Sequence, residues 1–177
     1  MQDVSLASYS IMIALNNVQT ADVLKGALMQ MRVKRVTSVV DNRDAVSQMQ
    51  DHHYSMILIE EGFPELGAAD FCRFLRLTNA PMAVAPIVYG IHRAEKERVL
   101  AGRDSGASKI VLLPLSTKAL IEALKASVRE MRPIIQTSAY NGPDRRLAKI
   151  SSYKGPERRK GQFGVVSVEE QRKILAG

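Results

Sequence analysis

Residues 140–146 read Tyr-Asn-Gly-Pro-Asp-Arg-Arg and residues 153–159 read Tyr-Lys-Gly-Pro-Glu-Arg-Arg, so a seven-residue module recurs thirteen positions later. Its aromatic, Gly-Pro, acidic and double-arginine positions are kept, and it has none of the apolar periodicity that a packed core requires. An arginine fork matches a phosphate, or O6 and N7 of guanine, through two parallel hydrogen bonds, while a carboxylate accepts from N1 and N2 of the same base. Arg145, Arg146, Arg158 and Arg159 are therefore the main candidates for binding a planar anion, with Asp144 and Glu157 as guanine readers. Tyr140 and Tyr153 add faces for stacking, worth about 1–3 kcal/mol per base in single-strand binders. Gly142-Pro143 and Gly155-Pro156 predict a turn in each copy that presents the residues after it.

Two near-identical modules suit a ligand with two equivalent guanines and two phosphates, and the cyclic dinucleotide c-di-GMP has that symmetry. Tethering lets two weak modules act together. The same residues also fit RNA or single-stranded DNA, with Lys149, Lys154 and Lys160 as phosphate contacts and a steep salt dependence. A third reading is a basic tail whose arginines lie in solvent or pair with acids on the domain, and a fourth is a tail that binds an acidic protein partner.

The elements that must carry this module come before it. A chain of 177 residues accommodates a domain with a full core plus an appendage. Of the net charge of +7, residues 143–160 contribute seven Lys/Arg against Asp144 and Glu157, so the basicity is concentrated there. Short apolar runs at 11–15, 36–40, 56–59, 85–89 and 110–113 predict buried strands. Helical faces fall between them: Val23, Leu24, Ala27, Leu28 and Met31 on one, Phe71, Leu75 and Leu77 on another, and Leu120, Ile121, Leu124, Val128 and Met131 on a third. Segments 45–50 and 93–101 supply two more polar helices. The alternation βα, five times over, predicts an α/β fold with a parallel five-stranded sheet and a ligand pocket beyond the carboxyl ends of the strands. Arg132-Pro133 stops the last helix, placing a boundary between a domain at 1–133 and an arginine-rich tail at 134–177. Ser167-Val168-Glu169-Glu170 matches a capping box and predicts a short terminal helix, too short to be stable unless it docks.

Residues 55–76, with Met56-Ile57-Leu58-Ile59-Glu60, Pro64, Gly67 and Phe71-Cys72-Arg73-Phe74-Leu75-Arg76, resemble the third strand and following helix of bacterial response-regulator receiver (CheY-like) domains. The resemblance extends over roughly the first 130 residues, including Gly106-Ala107 and Leu113-Pro114, and implies the flavodoxin-like (βα)5 fold. In that family, phosphorylation uses a pair of acids after the first strand, an aspartate nucleophile, a hydroxyl after the fourth strand and a lysine before the late proline. Here the corresponding residues are Asn16 and Asn17, Glu60, Gly90 or Ile91, and Leu113. Neutral amides hold magnesium poorly, and without metal or lysine nothing offsets the charge of a transferring phosphoryl group, so phosphotransfer should be lost. Glu60 then stands either as a fixed negative charge imitating part of the phosphorylated state or as a solvated strand-end acid. Whether Leu113-Pro114 is cis is left open.

A receiver-like domain without phosphorylation residues, followed by an arginine-rich segment, also resembles the Cle group of CheY-like proteins. That resemblance implies c-di-GMP binding through Tyr140, Asp144, Arg145, Arg146, Tyr153, Glu157, Arg158 and Arg159, and action on a protein partner such as the flagellar motor. The expected function is a non-enzymatic signalling adaptor, the alternative being a pseudo-receiver that binds protein independently of nucleotide. His52, His53 and His92 are expected on surface loops with no completed ligand set, so neither metal nor catalytic residues are expected. The single Cys72 excludes an internal disulfide, and no apolar run approaches bilayer-spanning length; with no basic and apolar leader, the expected location is cytoplasmic.

Overall fold

In a computed structural model, which describes residues 4–146 and 163–176, the first strand in the chain lies inside the sheet. Strands β1 (Ser10–Ala14), β2 (Arg35–Ser38), β3 (Met56–Glu60), β4 (Ile87–Ile91) and β5 (Lys109–Leu112) pair in parallel in the order β2-β1-β3-β4-β5. Helices α1 (Val18–Gln30), α2 (Asn42–Asp51), α3 (Ala68–Leu77), α4 (Lys96–Asp104) and α5 (Thr117–Arg129) follow the strands in turn, with a 3-10 turn at Pro81–Val84. This is the flavodoxin-like architecture expected from the βα alternation. The order reverses beside β1, which puts the switch point at the carboxyl ends of β1 and β3.

Strand side chains alternate between the two faces with a period of two. Ile11, Ile13, Met56, Leu58 and Val88 meet Leu24 and Leu28 of α1 and Leu120 and Leu124 of α5. Met12, Ala14, Ile57, Ile59, Ile87 and Tyr89 meet Phe71, Cys72 and Leu75 of α3 on the other side. The α1 face differs by one position from the sequence expectation. Ala21, Leu24 and Leu28 are buried, whereas Val23 is 61% exposed, because Asn17 caps the helix and the stripe against α5 runs at spacings of three and four. Leu77, expected on the α3 face, is 70% exposed at the helix end, and Arg76 is buried instead.

Beyond α5 the chain continues as a small antiparallel sheet. Strand β6 (Ile134–Gln136) pairs with β7 (Asn141–Pro143) on one side and β8 (Gly164–Val166) on the other. Ile134 and Ile135 are buried. Helix α6 (Val168–Ala176) follows, with the capping box formed: the Glu170 amide donates to Ser167 Oγ at 3.2 Å and the Ser167 amide donates to Glu170 Oε2 at 2.7 Å. The helix docks as its length requires. Buried Gln171 donates from Nε2 to the carbonyls of Arg132 (2.8 Å) and Val166 (3.2 Å), and Leu175 packs on the α3-side core. Among the described residues no helix is long and apolar enough to cross a membrane.

Candidate functional site

The carboxyl end of the sheet gathers Asn16, Glu60, Gly90 and Leu113. Glu60 ends β3 and is 6% exposed, so it is a buried acid and not the solvated one the sequence left open. Its carboxylate is satisfied from two directions, by the Asn16 amide N–H at 2.8 Å on Oε2 and by His92 Nε2 at 2.5 Å from Oε1. Glu60 pairs in register with Gly90 on β4. A Cβ at Gly90 would lie 2.6 Å from Leu113 Cδ1, so the leucine fills the space above the glycine. The Leu113-Pro114 bond is cis. Asn17 is taken up elsewhere: its Oδ1 accepts from the Thr20 amide at 2.8 Å as the N-cap of α1.

Glu61 extends the network. Its Oε1 accepts the His92 backbone N–H at 2.8 Å and Arg98 Nη1 at 2.8 Å, which ties α4 to the end of β3. His92 was expected on a surface loop, and its side chain is half exposed, yet its ring closes over Glu60. The 32-residue separation of the two carries no local signal. Among the described residues no group of three or more His, Cys, Asp and Glu could hold a metal ion. His52 and His53 sit at the opposite end of the sheet, in a hollow with Lys34, Arg35 and the end of α6.

The first copy of the basic module is anchored on the domain. Its Gly-Pro pair was expected in a turn, but Gly142-Pro143 lies in β7 and the turn falls at 137–140. There, Thr137 Oγ1 donates to the Tyr140 carbonyl at 2.9 Å and accepts the Tyr140 amide at 2.8 Å. The glycine serves close approach: a Cβ at Gly142 would meet Gly106 Cα at 2.7 Å and Tyr140 Oη at 2.6 Å. Gly106 is held in turn by Arg76, a buried guanidinium that donates to the carbonyls of Gly106 (2.8 and 3.0 Å), Ala83 (2.7 Å) and Ala85 (2.8 Å). Burial lowers the Arg76 pKa to about 10, and the same interior pushes the Cys72 thiol up to about 12. That thiol is buried and inert.

Tyr140 donates from Oη to the Pro143 carbonyl at 2.9 Å, which fixes its ring. One face of the ring is covered by the Arg145 guanidinium, 3.7 Å from the centroid. Arg145 Nη1 also reaches Asp104 Oδ1 at the end of α4, at 3.2 Å. Asp144 accepts the Arg146 amide at 3.0 Å, and the Asp144 amide donates to the Pro133 carbonyl at 2.8 Å. Ile135, Thr137, Tyr140, Asp144, Arg145 and Arg146 line a pocket of about 270 Å³. That is at or below the roughly 300–1,000 Å³ of sites for drug-sized ligands, so it suits one base or one phosphate. Tyr153, Glu157, Arg158 and Arg159, with Lys149, Lys154 and Lys160, lie outside the described residues.

No protein-family model matches the chain. Solved structures similar to it include the Francisella response regulator 1452 receiver domain, at 19% identity over 67% of this chain and 95% of that one (TM-score 0.59). The chemotaxis response regulator CheY4 of Vibrio cholerae matches at 16% identity over 67% and 98% (TM-score 0.61). A two-component response regulator from Clostridium difficile matches at 21% identity over 68% and 96% (TM-score 0.60). The chain therefore contains a receiver-type fold, and these likenesses span about two thirds of its length.

Proposed function

We propose that this protein is a non-enzymatic signalling adaptor in which a phosphorylation-incompetent receiver fold carries a c-di-GMP-binding tail. The observation that carries the reading is Arg145 held over the Tyr140 ring beside Asp144 and Arg146, around a pocket sized for one base or phosphate. A guanidinium held over an aromatic ring keeps N–H donors available for O6, N7 or phosphate. The second module, at 153–159, supplies the same groups for the other half of a symmetric dinucleotide. Asn16 and Asn17 in place of acids, and Leu113 packed over Gly90 in place of a lysine, support the loss of phosphotransfer. Ligand-dependent ordering of the tail would then present a surface to a protein partner, the flagellar motor being the one the Cle resemblance implies.

Isothermal calorimetry on the full chain tests this at tens of micromolar c-di-GMP. Heat of binding is expected, weakened by Arg145→Ala or Arg158→Ala, abolished by both together, and little altered by Lys149→Ala. No heat favours a nucleotide-independent interaction module. Equal losses for all three substitutions favour diffuse attraction, as for RNA or single-stranded DNA. Acetyl phosphate with magnesium should leave the mass of the protein unchanged.

A further inference from the structure

Asp104 belongs to α4 and not to the tail, yet its Oδ1 receives Arg145 Nη1 at 3.2 Å and Arg103 Nε at 2.9 Å. It is the last residue of α4, where the helix carbonyls add partial negative charge. The neighbouring Gly106 is the surface on which Gly142 docks. The acid therefore holds the guanidinium on which the nucleotide reading depends.

We infer that Asp104 is a built-in competitor for the ligand: it occupies Arg145 in the unliganded protein and is displaced by the phosphate or guanine that binds there. The inference rests on the proposed nucleotide reading and names the regulation of that site. Each N–H serves one acceptor at a time, so an anion that takes the Nη1 hydrogen directed at Asp104 must displace the carboxylate, and the carboxylate's charge repels an anionic ligand at the same guanidinium. Displacement would release the carboxyl end of α4 from the tail. The other end of α4 stays tied through Arg98 to Glu61, next to Glu60. Ligand occupancy is thus linked to how α4 is held, through one exchangeable ion pair.

The test is calorimetry of c-di-GMP on the full chain as wild type, as Asp104→Asn and as Glu122→Gln. Glu122 is an exposed acid of α5 whose neutralisation removes the same charge elsewhere. Asp104→Asn should lower Kd about two- to fivefold, the range of an exposed ion pair, and the gain should shrink as salt is raised. Glu122→Gln should leave Kd unchanged. A Kd for Asp104→Asn equal to or above wild type overturns the inference, as does an equal gain in both variants, which would mean a long-range field. If wild type itself binds no c-di-GMP, the nucleotide reading falls and takes the inference with it. Wild-type binding with an unimproved Asp104→Asn removes only the inference. In the unliganded protein, amide exchange across 140–146 should also quicken in Asp104→Asn while the sheet stays protected; unchanged exchange counts against the contact as a tether.

Discussion

Gly142 is the position where one added carbon would separate the basic module from the domain. A methyl there would sit 2.7 Å from Gly106 Cα and 2.6 and 2.9 Å from Tyr140 Oη and Cζ. The first neighbour is backbone and cannot turn aside, and the tyrosine is fixed by its bond to the Pro143 carbonyl. Overpacking of this kind costs about 1–3 kcal/mol, and loss of the tyrosine hydrogen bond adds roughly 0.5–1.5 kcal/mol. Gly142→Ala should therefore weaken docking of the β6–β7 hairpin by about 2–4 kcal/mol. Where opening is local, that corresponds to exchange of the Asp144 amide, bonded to the Pro133 carbonyl at 2.8 Å, quickening by about 30- to 1,000-fold. Hydrogen exchange followed by NMR or mass spectrometry measures this, with amides of β1 and β3 as the internal reference. Exchange of Asp144 within about threefold of wild type would refute the argument that the glycine is required by close approach.

Arg76→Met should cost about 3 kcal/mol in urea unfolding, since the carbonyls of Ala83, Ala85 and Gly106 lose their donors while the removed charge was itself costly to bury. A loss below about 1 kcal/mol would show that water or neighbouring amides replace the guanidinium. Alkaline pH should also destabilise the fold, because burial raises the Cys72 pKa from 9.0 to about 12. A folded pKa above the unfolded one means that this contribution is complete below about pH 9 and is lost as pH rises toward 12, roughly 2–3 kcal/mol of it by pH 11. Cys72→Ala should flatten the fall in stability between pH 9 and pH 11, and an unaltered slope would assign it to other groups, Tyr89 first among them.

The βα alternation was legible because the central strands β1, β3 and β4 are buried on both faces and so appear as unbroken apolar runs; β2 and β5, expected buried as well, are edge strands and only partly covered. The capping box at Ser167 was legible for a similar reason, being a local pattern of four residues whose hydrogen bonds close within one turn. What failed was local in appearance and tertiary in cause. Val23 and Leu77 have apolar side chains at plausible helical spacing, but the neighbouring elements meet α1 and α3 along stripes one position away. Arg76 occupies an inward position on α3 because three carbonyls from two separate loops converge on it, although its place one residue after Leu75 on an apolar face was a usable hint.

The amino-acid order by itself determined the parallel sheet, a last long helix that ends ahead of Pro133, the duplicated Gly-Pro-acid-Arg-Arg pattern, and the presence of Asn16, Asn17 and Leu113 at the strand ends. These follow from residue type and short-range period, which survive without a third dimension. Only the tertiary structure decided that His92 closes over Glu60, that Gly142 serves contact with Gly106, and that Asp104 holds Arg145. Each of these joins residues tens of positions apart or on separate elements, and such meetings depend on how helices and loops pack against a sheet, which no local pattern encodes.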